Sequence, residues 1–112
     1  LSIAHSLTRG LSADPVLART LHGEQVAWGL LVQLVLEGRD DAMLDDLLGF
    51  YRRVGLPRSL RALGYPGDGR EVAPAIARIT WEGAPYVKRL RAPVDVGRIE
   101  AAIGVLEARG DT

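Results

Sequence analysis

The segment LHGEQVAWGLLVQLVLEGR, residues 21–39, decides the fold of this chain. From Gln25 to Glu37 its residues are apolar almost without interruption. We predict one helix from about Gly23 to Glu37, and apolar side chains cover its whole circumference, which is typical of a helix buried on all sides. Val26–Leu36 is therefore expected to be the most buried element. The run is too short to span a bilayer, which needs roughly 20 residues.

Helical patterns flank this segment on both sides. Apolar residues recur at helical spacing between Leu1 and Leu11. Asp40 or Asp41 is placed to cap a further helix that ends at Gly55. The other predicted elements are a turn at 12–15, a short helix opened by Pro57, a helix over Arg70–Thr80, an irregular stretch over Glu82–Pro93 and a last helix capped by Asp95. No stretch alternates with period two for long enough to be a strand, so we predict an all-α bundle of about five or six helices.

The composition is that of one ordinary globular domain. The chain has 112 residues, of which 47% are hydrophobic, with 14 basic and 14 acidic side chains and a net charge of zero. Such a balance gives no excess positive charge that would attract nucleic acid or an anionic membrane surface. There is no cysteine and no visible signal peptide, so we expect a cytoplasmic location. The chain begins at Leu1 inside a helical pattern, and we expect it to be a piece of a longer protein.

Two histidines, His5 and His22, are the candidates for chemistry. Zinc and iron(II) both accept neutral imidazole, but a separation of 17 residues is no local chelating spacing, so two helices would have to meet. The alternative is that each histidine is a core or helix-end residue. His22 stands at a helix N-terminus, where the dipole favours a nearby anion such as an alkoxide. Glu24 reads as an acidic residue suited to a first helical turn, and Gly23 allows close backbone approach.

Two short basic clusters and two tryptophans complete the set of notable residues. Arg52–Arg53 and Lys88–Arg91 either form a solvated face or contact a phosphate or a neighbouring domain. Trp28 and Trp81 are expected in the core or at an interface.

Three blocks in the chain resemble a known family. The blocks are AHSLTRGLS at 4–12, LHGEQVAWGLLVQLVLE at 21–37 and VGLPRSLRALG at 54–64. In order and spacing they are similar to the C-terminal helical domain of the iron-containing alcohol dehydrogenase superfamily, in its glycerol dehydrogenase-like branch. The tail, EGAPYV followed by VDVGRIEAAI, resembles that family more loosely.

This resemblance implies a metal centre that the chain only partly contains. In that family an aspartate and two histidines hold one divalent metal, zinc or iron, and the histidines correspond to His5 and His22. The resemblance also implies NAD(P), bound by a Rossmann-like N-terminal domain that supplies the aspartate. This chain contains neither the Rossmann-like domain nor the aspartate. Residues 1–112 are therefore expected to be a helical metal-binding domain that has no activity on its own. Its partners would be a small alcohol or polyol substrate, its own N-terminal domain and further copies in a homo-oligomer.

Two positions depart from the glycerol dehydrogenase pattern. Thr8 stands where a histidine is common, and Tyr86-Val87-Lys88 replaces a segment that carries another. Neither change removes an expected metal ligand, but both bear on the polyol substrate. The alternatives are a glycerol-1-phosphate dehydrogenase or dehydroquinate synthase-like enzyme of the same superfamily, or a non-catalytic helical interaction module. A phosphate substrate would require convergent basic residues near the metal, and no cluster of them lies close in sequence to either histidine.

Overall fold

Five α-helices account for most of the computed structural model, which describes residues 3–83 and 95–110. They are α1 (Ile3–Ser12), α2 (His22–Leu36), α3 (Asp41–Val54), α4 (Ala73–Gly83) and α5 (Val96–Gly110), with short 3-10 turns at Leu17–Arg19 and Gly69–Glu71. These described ranges contain no strand, which confirms the all-α prediction. None of their helices is long and apolar enough to cross a membrane.

The core lies where α1, α2, α4 and α5 meet. Helix α1 packs against both α2 and α4, and α5 closes the bundle against α2 and α4. The largest fully buried side chains come from all four of these helices and from the segments between them: Trp28, Ile3, Leu7, Leu11, Leu17, Leu31, Leu60, Ile76, Ile99, Ile103, Leu106 and Val32. The prediction that Trp28 is a core residue is confirmed.

Helix ends follow their local signals closely. The side chain of Asp40 accepts a hydrogen bond from Met43 N at 2.8 Å and caps α3. Gly55 ends that helix with φ +80°, a left-handed conformation that favours glycine. Asp95 Oδ1 accepts from Arg98 N at 2.8 Å and caps α5, as predicted.

The prediction that α2 is buried on all sides is wrong. Leu30 is 39% exposed, and Leu34, Val35 and Leu36 are only half-buried. Together with Met43, Leu47 and Phe50 of α3, the exposed face of α2 lines a shallow apolar groove. Helix α1 buries six of its ten residues against five of fifteen in α2, so α1 is the more deeply buried helix.

Two other predicted elements differ in the structure. The segment after Pro57 forms turns over residues 59–64 and not a short helix. The helix predicted from Arg70 begins at Ala73, after a 3-10 turn, and extends past Thr80 to Gly83. Pro74 falls in its first turn, where a missing N–H costs little. Most of the stretch predicted as irregular, from residue 84 to 93, lies outside the described residues, as do Leu1 and the basic cluster Lys88–Arg91.

Close backbone approach at two glycines fixes α1 between its neighbours. A Cβ at Gly29 of α2 would lie 2.7 Å from the carbonyl oxygen of Ala4. A Cβ at Gly10 of α1 would lie 2.7 Å from the carbonyl oxygen of Ile76 in α4. A side chain at either position would push two helices apart, because the atom that it meets belongs to a backbone.

We predict that Gly29→Ala destabilises the domain by about 1–3 kcal/mol, as overpacking of a tight contact does. Gly23→Ala is the matched control in the same helix, since nothing lies within 4 Å of its added Cβ. That control should leave stability unchanged or raise it by up to about 1 kcal/mol through helix propensity. Urea unfolding of both variants checks this, and equal stability of the two would contradict the close contact.

Candidate metal centre

The two histidines come together at one end of the α1–α2 pair. His5 lies in the first turn of α1, and His22 is the first residue of α2. Their ring centroids are 5.9 Å apart and the rings are tilted by 57°. Both side chains are exposed. The predicted proximity is therefore confirmed, whereas the role of the pair as metal ligands stays a prediction.

The contact at Gly29 accounts for this meeting. His22 and Gly29 are seven residues apart, roughly two turns, so they lie on the same face of α2. Ala4, whose carbonyl meets Gly29, directly precedes His5 in α1. Ala4 N also donates to Oε1 of Gln33 at 3.2 Å. Helix α1 is thus held on the face of α2 that carries His22.

Buried polar contacts hold the loop that leads into α2. The side chain of Gln25, 3% exposed, donates from Nε2 to the carbonyl oxygen of Leu17 and to Oγ1 of Thr20, both at 2.9 Å. Asp14 Oδ1 accepts from the backbone N–H of Leu17 at 3.2 Å and starts the turn before it. These contacts hold the loop before α2 in place, and with it the position of His22 at the start of that helix.

The donor set fits two ligands of a divalent metal site. Two imidazoles on one tetrahedral zinc, at about 2.0–2.1 Å, place their ring centroids about 5 Å apart. The observed separation of the centroids, 5.9 Å, is roughly 1 Å longer than that value. No group of three or more His, Cys, Asp or Glu side chains suited to a metal occurs in residues 3–83 and 95–110. A catalytic zinc normally takes three protein ligands, so the two histidines alone do not complete such a site.

Two other residues singled out from the sequence, Thr8 and Glu24, have side chains on different sides of the helices that carry the histidines. Thr8 lies one turn beyond His5, and its hydroxyl donates to the carbonyl oxygen of His5 at 2.6 Å. Glu24 is two residues after His22, about 200° around the helix, so its side chain points to the opposite side of α2. Tyr86-Val87-Lys88, the second departure from the family pattern, lies outside the described residues.

On that opposite side of α2, a cleft of about 420 Å³ brings together residues that the sequence keeps apart. Glu24 lines it with Arg52 from α3 and with Arg58 and Arg61 from the following turn. Tyr51 forms part of the wall; its hydroxyl donates to the carbonyl oxygen of Ala27 at 2.7 Å, and burial raises its pKa. Of these three arginines, the sequence singles out only Arg52, in the cluster Arg52–Arg53, because Arg58 and Arg61 are brought beside it by the reversal of the chain after α3.

A separate exposed ion pair lies near the end of this turn region. Arg70 donates from Nη2 to Oδ2 of Asp68 at 2.8 Å. The hydrogen bond from Arg70 lowers the pKa of the Asp68 carboxyl, and the same bond raises the pKa of Arg70. Both groups are open to solvent, so this pair is a surface feature and no part of the histidine site.

Comparisons with known proteins place the chain beside part of several dehydrogenases. It is 29% identical over 110 residues to a glycerol dehydrogenase of Pseudomonas putida, covering 98% of this chain and 30% of that protein. It is 43% identical over 63 residues to hydroxycarboxylate dehydrogenase A of Escherichia coli K12, covering 56% of this chain and 17% of that protein. No protein-family model matches the sequence.

A crystal structure shows the same fold. It is that of a probable glycerol dehydrogenase from Sinorhizobium meliloti 1021, with a TM-score of 0.90 and 31% identity over 99% of this chain and 31% of the other. The chain thus spans less than a third of the length of these relatives. It matches a fragment of glycerol dehydrogenase-like proteins, and its helical fold is consistent with their C-terminal domain.

We predict that zinc added to this chain shifts the ring resonances of His5 and His22 together in NMR spectra. Binding should be weak, because only two ligands are present, and His5→Ala should weaken it by at least roughly tenfold. Glu24→Ala is the control, since that carboxylate lies on the other side of α2, and it should leave zinc affinity unchanged. Rings that respond at different zinc concentrations would show that they do not share a metal.

Proposed function

We propose that this chain is the metal-binding helical domain of an NAD(P)-dependent, metal-dependent alcohol or polyol dehydrogenase resembling glycerol dehydrogenase. The observation that carries the proposal is the exposed pair His5 and His22, 5.9 Å apart. The likeness to proteins named glycerol dehydrogenase, in sequence and in fold, supports it. The cytoplasmic location and the homo-oligomer stay predictions.

In this proposal His5 and His22 would hold a zinc or iron ion, and an aspartate from the N-terminal domain would complete the set. When bound, the metal would supply Lewis-acid polarisation of an alcohol oxygen, and NAD(P) would supply the hydride acceptor. The chain's own contribution is to hold the two imidazoles at a fixed separation. The rigidity of the α1–α2 contact at Gly29 provides that separation.

The surroundings of the pair suit a polar, anionic reacting group. Both histidines are exposed, so a substrate can approach them. His22 and Gly23 stand at the N-terminus of a 15-residue helix, whose dipole stabilises negative charge on an oxygen nearby. Thr8 occupies the place beside His5 where the related enzymes commonly carry a histidine, and its hydroxyl is directed to the backbone. This departure bears on which alcohol or polyol the parent protein uses.

Enzymes with a phosphate-bearing substrate at the metal are less well supported. The three arginines that converge in space line a cleft on the side of α2 opposite His22. A non-catalytic interaction module is distinguished by metal content, because such a protein would contain no stoichiometric metal when the complete protein is made.

In the complete parent protein, His22→Ala should abolish metal-dependent alcohol oxidation. Two ligands are too few for a catalytic site that normally has three, and losing several kcal/mol of transition-state stabilisation lowers the rate by roughly a thousandfold or more. Turnover with added zinc or iron measures this. The dissociation constant of the cofactor should change by less than about threefold, since the dinucleotide is held elsewhere.

Arg39→Ala is the matched control for this variant. Arg39 follows the far end of α2 and forms an exposed ion pair with Glu37 at 3.6 Å, so its loss should leave turnover unchanged. A His22→Ala protein that retains more than about a tenth of wild-type turnover, a deficit of only about 1.4 kcal/mol, would show that His22 is not a ligand.

A further inference from the structure

The arginine-lined cleft between α2 and α3 is a second candidate binding site, separate from the histidine pair. Its volume of about 420 Å³ lies in the range of small-molecule sites. Its walls come from the first turn of α2, the end of α3 and the turn after Pro57, three segments that the fold holds in place. We define the arginine cleft by its four charged residues, Glu24, Arg52, Arg58 and Arg61.

The charge balance of the arginine cleft is positive. Three arginines line the cleft together with a single acidic residue, Glu24. Arg52 and Arg61 form no ion pair with any carboxylate of residues 3–83 and 95–110, although Arg58 has contacts within the protein. Both side chains are exposed at the rim. Within that described part of the chain, neither planar fork of N–H donors is held in a salt bridge, although Arg61 also lies near Asp68 and lowers the pKa of that carboxyl.

Two backbone N–H groups of the residues that line the cleft are also without an acceptor in the described ranges. The N–H groups of Ser59 and Arg61, two residues that line the cleft, have no hydrogen-bond acceptor within the described part of the chain. The turn is rigid because Leu60 N donates to Oε1 of Glu107 in α5 at 3.0 Å, and Ser59 Oγ accepts from Ala62 N at 3.2 Å. Fixed N–H donors beside guanidinium groups recognise oxyanions.

We propose that the arginine cleft binds the phosphate group of a phosphomonoester, at a site separate from His5 and His22. A phosphate carries nearly two negative charges at neutral pH and has three acceptor oxygens, which match two arginine forks and the backbone donors. A carboxylate has one charge and two oxygens and would leave donors unused. The volume leaves room for an organic group beyond the phosphate.

Amide NMR of the 112-residue chain, titrated with inorganic phosphate and separately with adenosine monophosphate, tests this site. The largest shifts should fall on Ser59 and Arg61. Arg61→Gln should weaken binding of both probes at least about fivefold, and Glu24→Gln should strengthen it about twofold or more, because each removes one charge from the ligand's surroundings. The exposed Arg39→Gln is the matched control and should change neither affinity.

The two probes distinguish the source of the phosphate. Binding of adenosine monophosphate at least about tenfold tighter than inorganic phosphate, a gain of about 1.4 kcal/mol, identifies a nucleotide. Equal affinities identify a small phosphate ester recognised by its phosphate alone. Shifts spread over all exposed arginines, or an equal loss of affinity in Arg39→Gln and Arg61→Gln, would overturn the proposal and show only diffuse charge attraction.

Discussion

The close approach of α1 to α2 at Ala4 and Gly29 is the constraint on which the rest of the structure depends. With no side chain at Gly29, the backbones touch, and the carbonyl of Ala4 would lie 2.7 Å from any Cβ placed there. Gly10 repeats the device on the opposite side of α1, against Ile76 of α4. Helix α1 is thus held between two partners, and His5 in its first turn lies in a defined place beside His22.

Polar contacts across long sequence separations complete the scaffold. Glu107 of α5 accepts a hydrogen bond from Trp28 Nε1 at 3.2 Å and another from Leu60 N at 3.0 Å, so it joins α5 to α2 and to the turn after α3. The missing side chain of Gly69 leaves room for the Glu107 carboxylate. Because the same turn forms one wall of the arginine cleft, Glu107 holds that cleft in shape from within the fold.

Local signals in the sequence predicted what local physics decides. The caps at Asp40 and Asp95, the left-handed Gly55 and the apolar spacing of α1 and α5 depend on neighbouring residues, and all are found as predicted. The burial of α2 was predicted wrongly because its composition does not reveal that Leu30 faces outwards beside α3. The segment after Pro57 is predicted as a helix, but it forms a turn. The hydrogen bond from Leu60 N to Glu107 that holds this turn joins residues 47 apart, so no local pattern in the sequence reveals it.

The functional residues, like the fold, could be predicted from the sequence only in part. Spacing alone left the two histidines open between structure and chemistry, and only the resemblance to a known family paired them. The arginine cleft could not be predicted, since Glu24, Arg52 and Arg61 belong to separate segments and meet only through tertiary packing. Thr8 and the loss of a family histidine were visible in the sequence, and the structure adds that its hydroxyl turns to the backbone.

We propose that His5 and His22 are ligands of one metal in the complete protein. X-ray absorption at the metal edge of the zinc-loaded parent protein tests it most directly, because imidazole ligands give a recognisable multiple-scattering pattern. Two imidazoles at about 2.0–2.1 Å are expected, together with oxygen ligands at a similar distance. The variants His5→Ala and His22→Ala should each retain one imidazole. A wild-type spectrum without imidazole scattering, or one unchanged in both variants, would contradict the assignment.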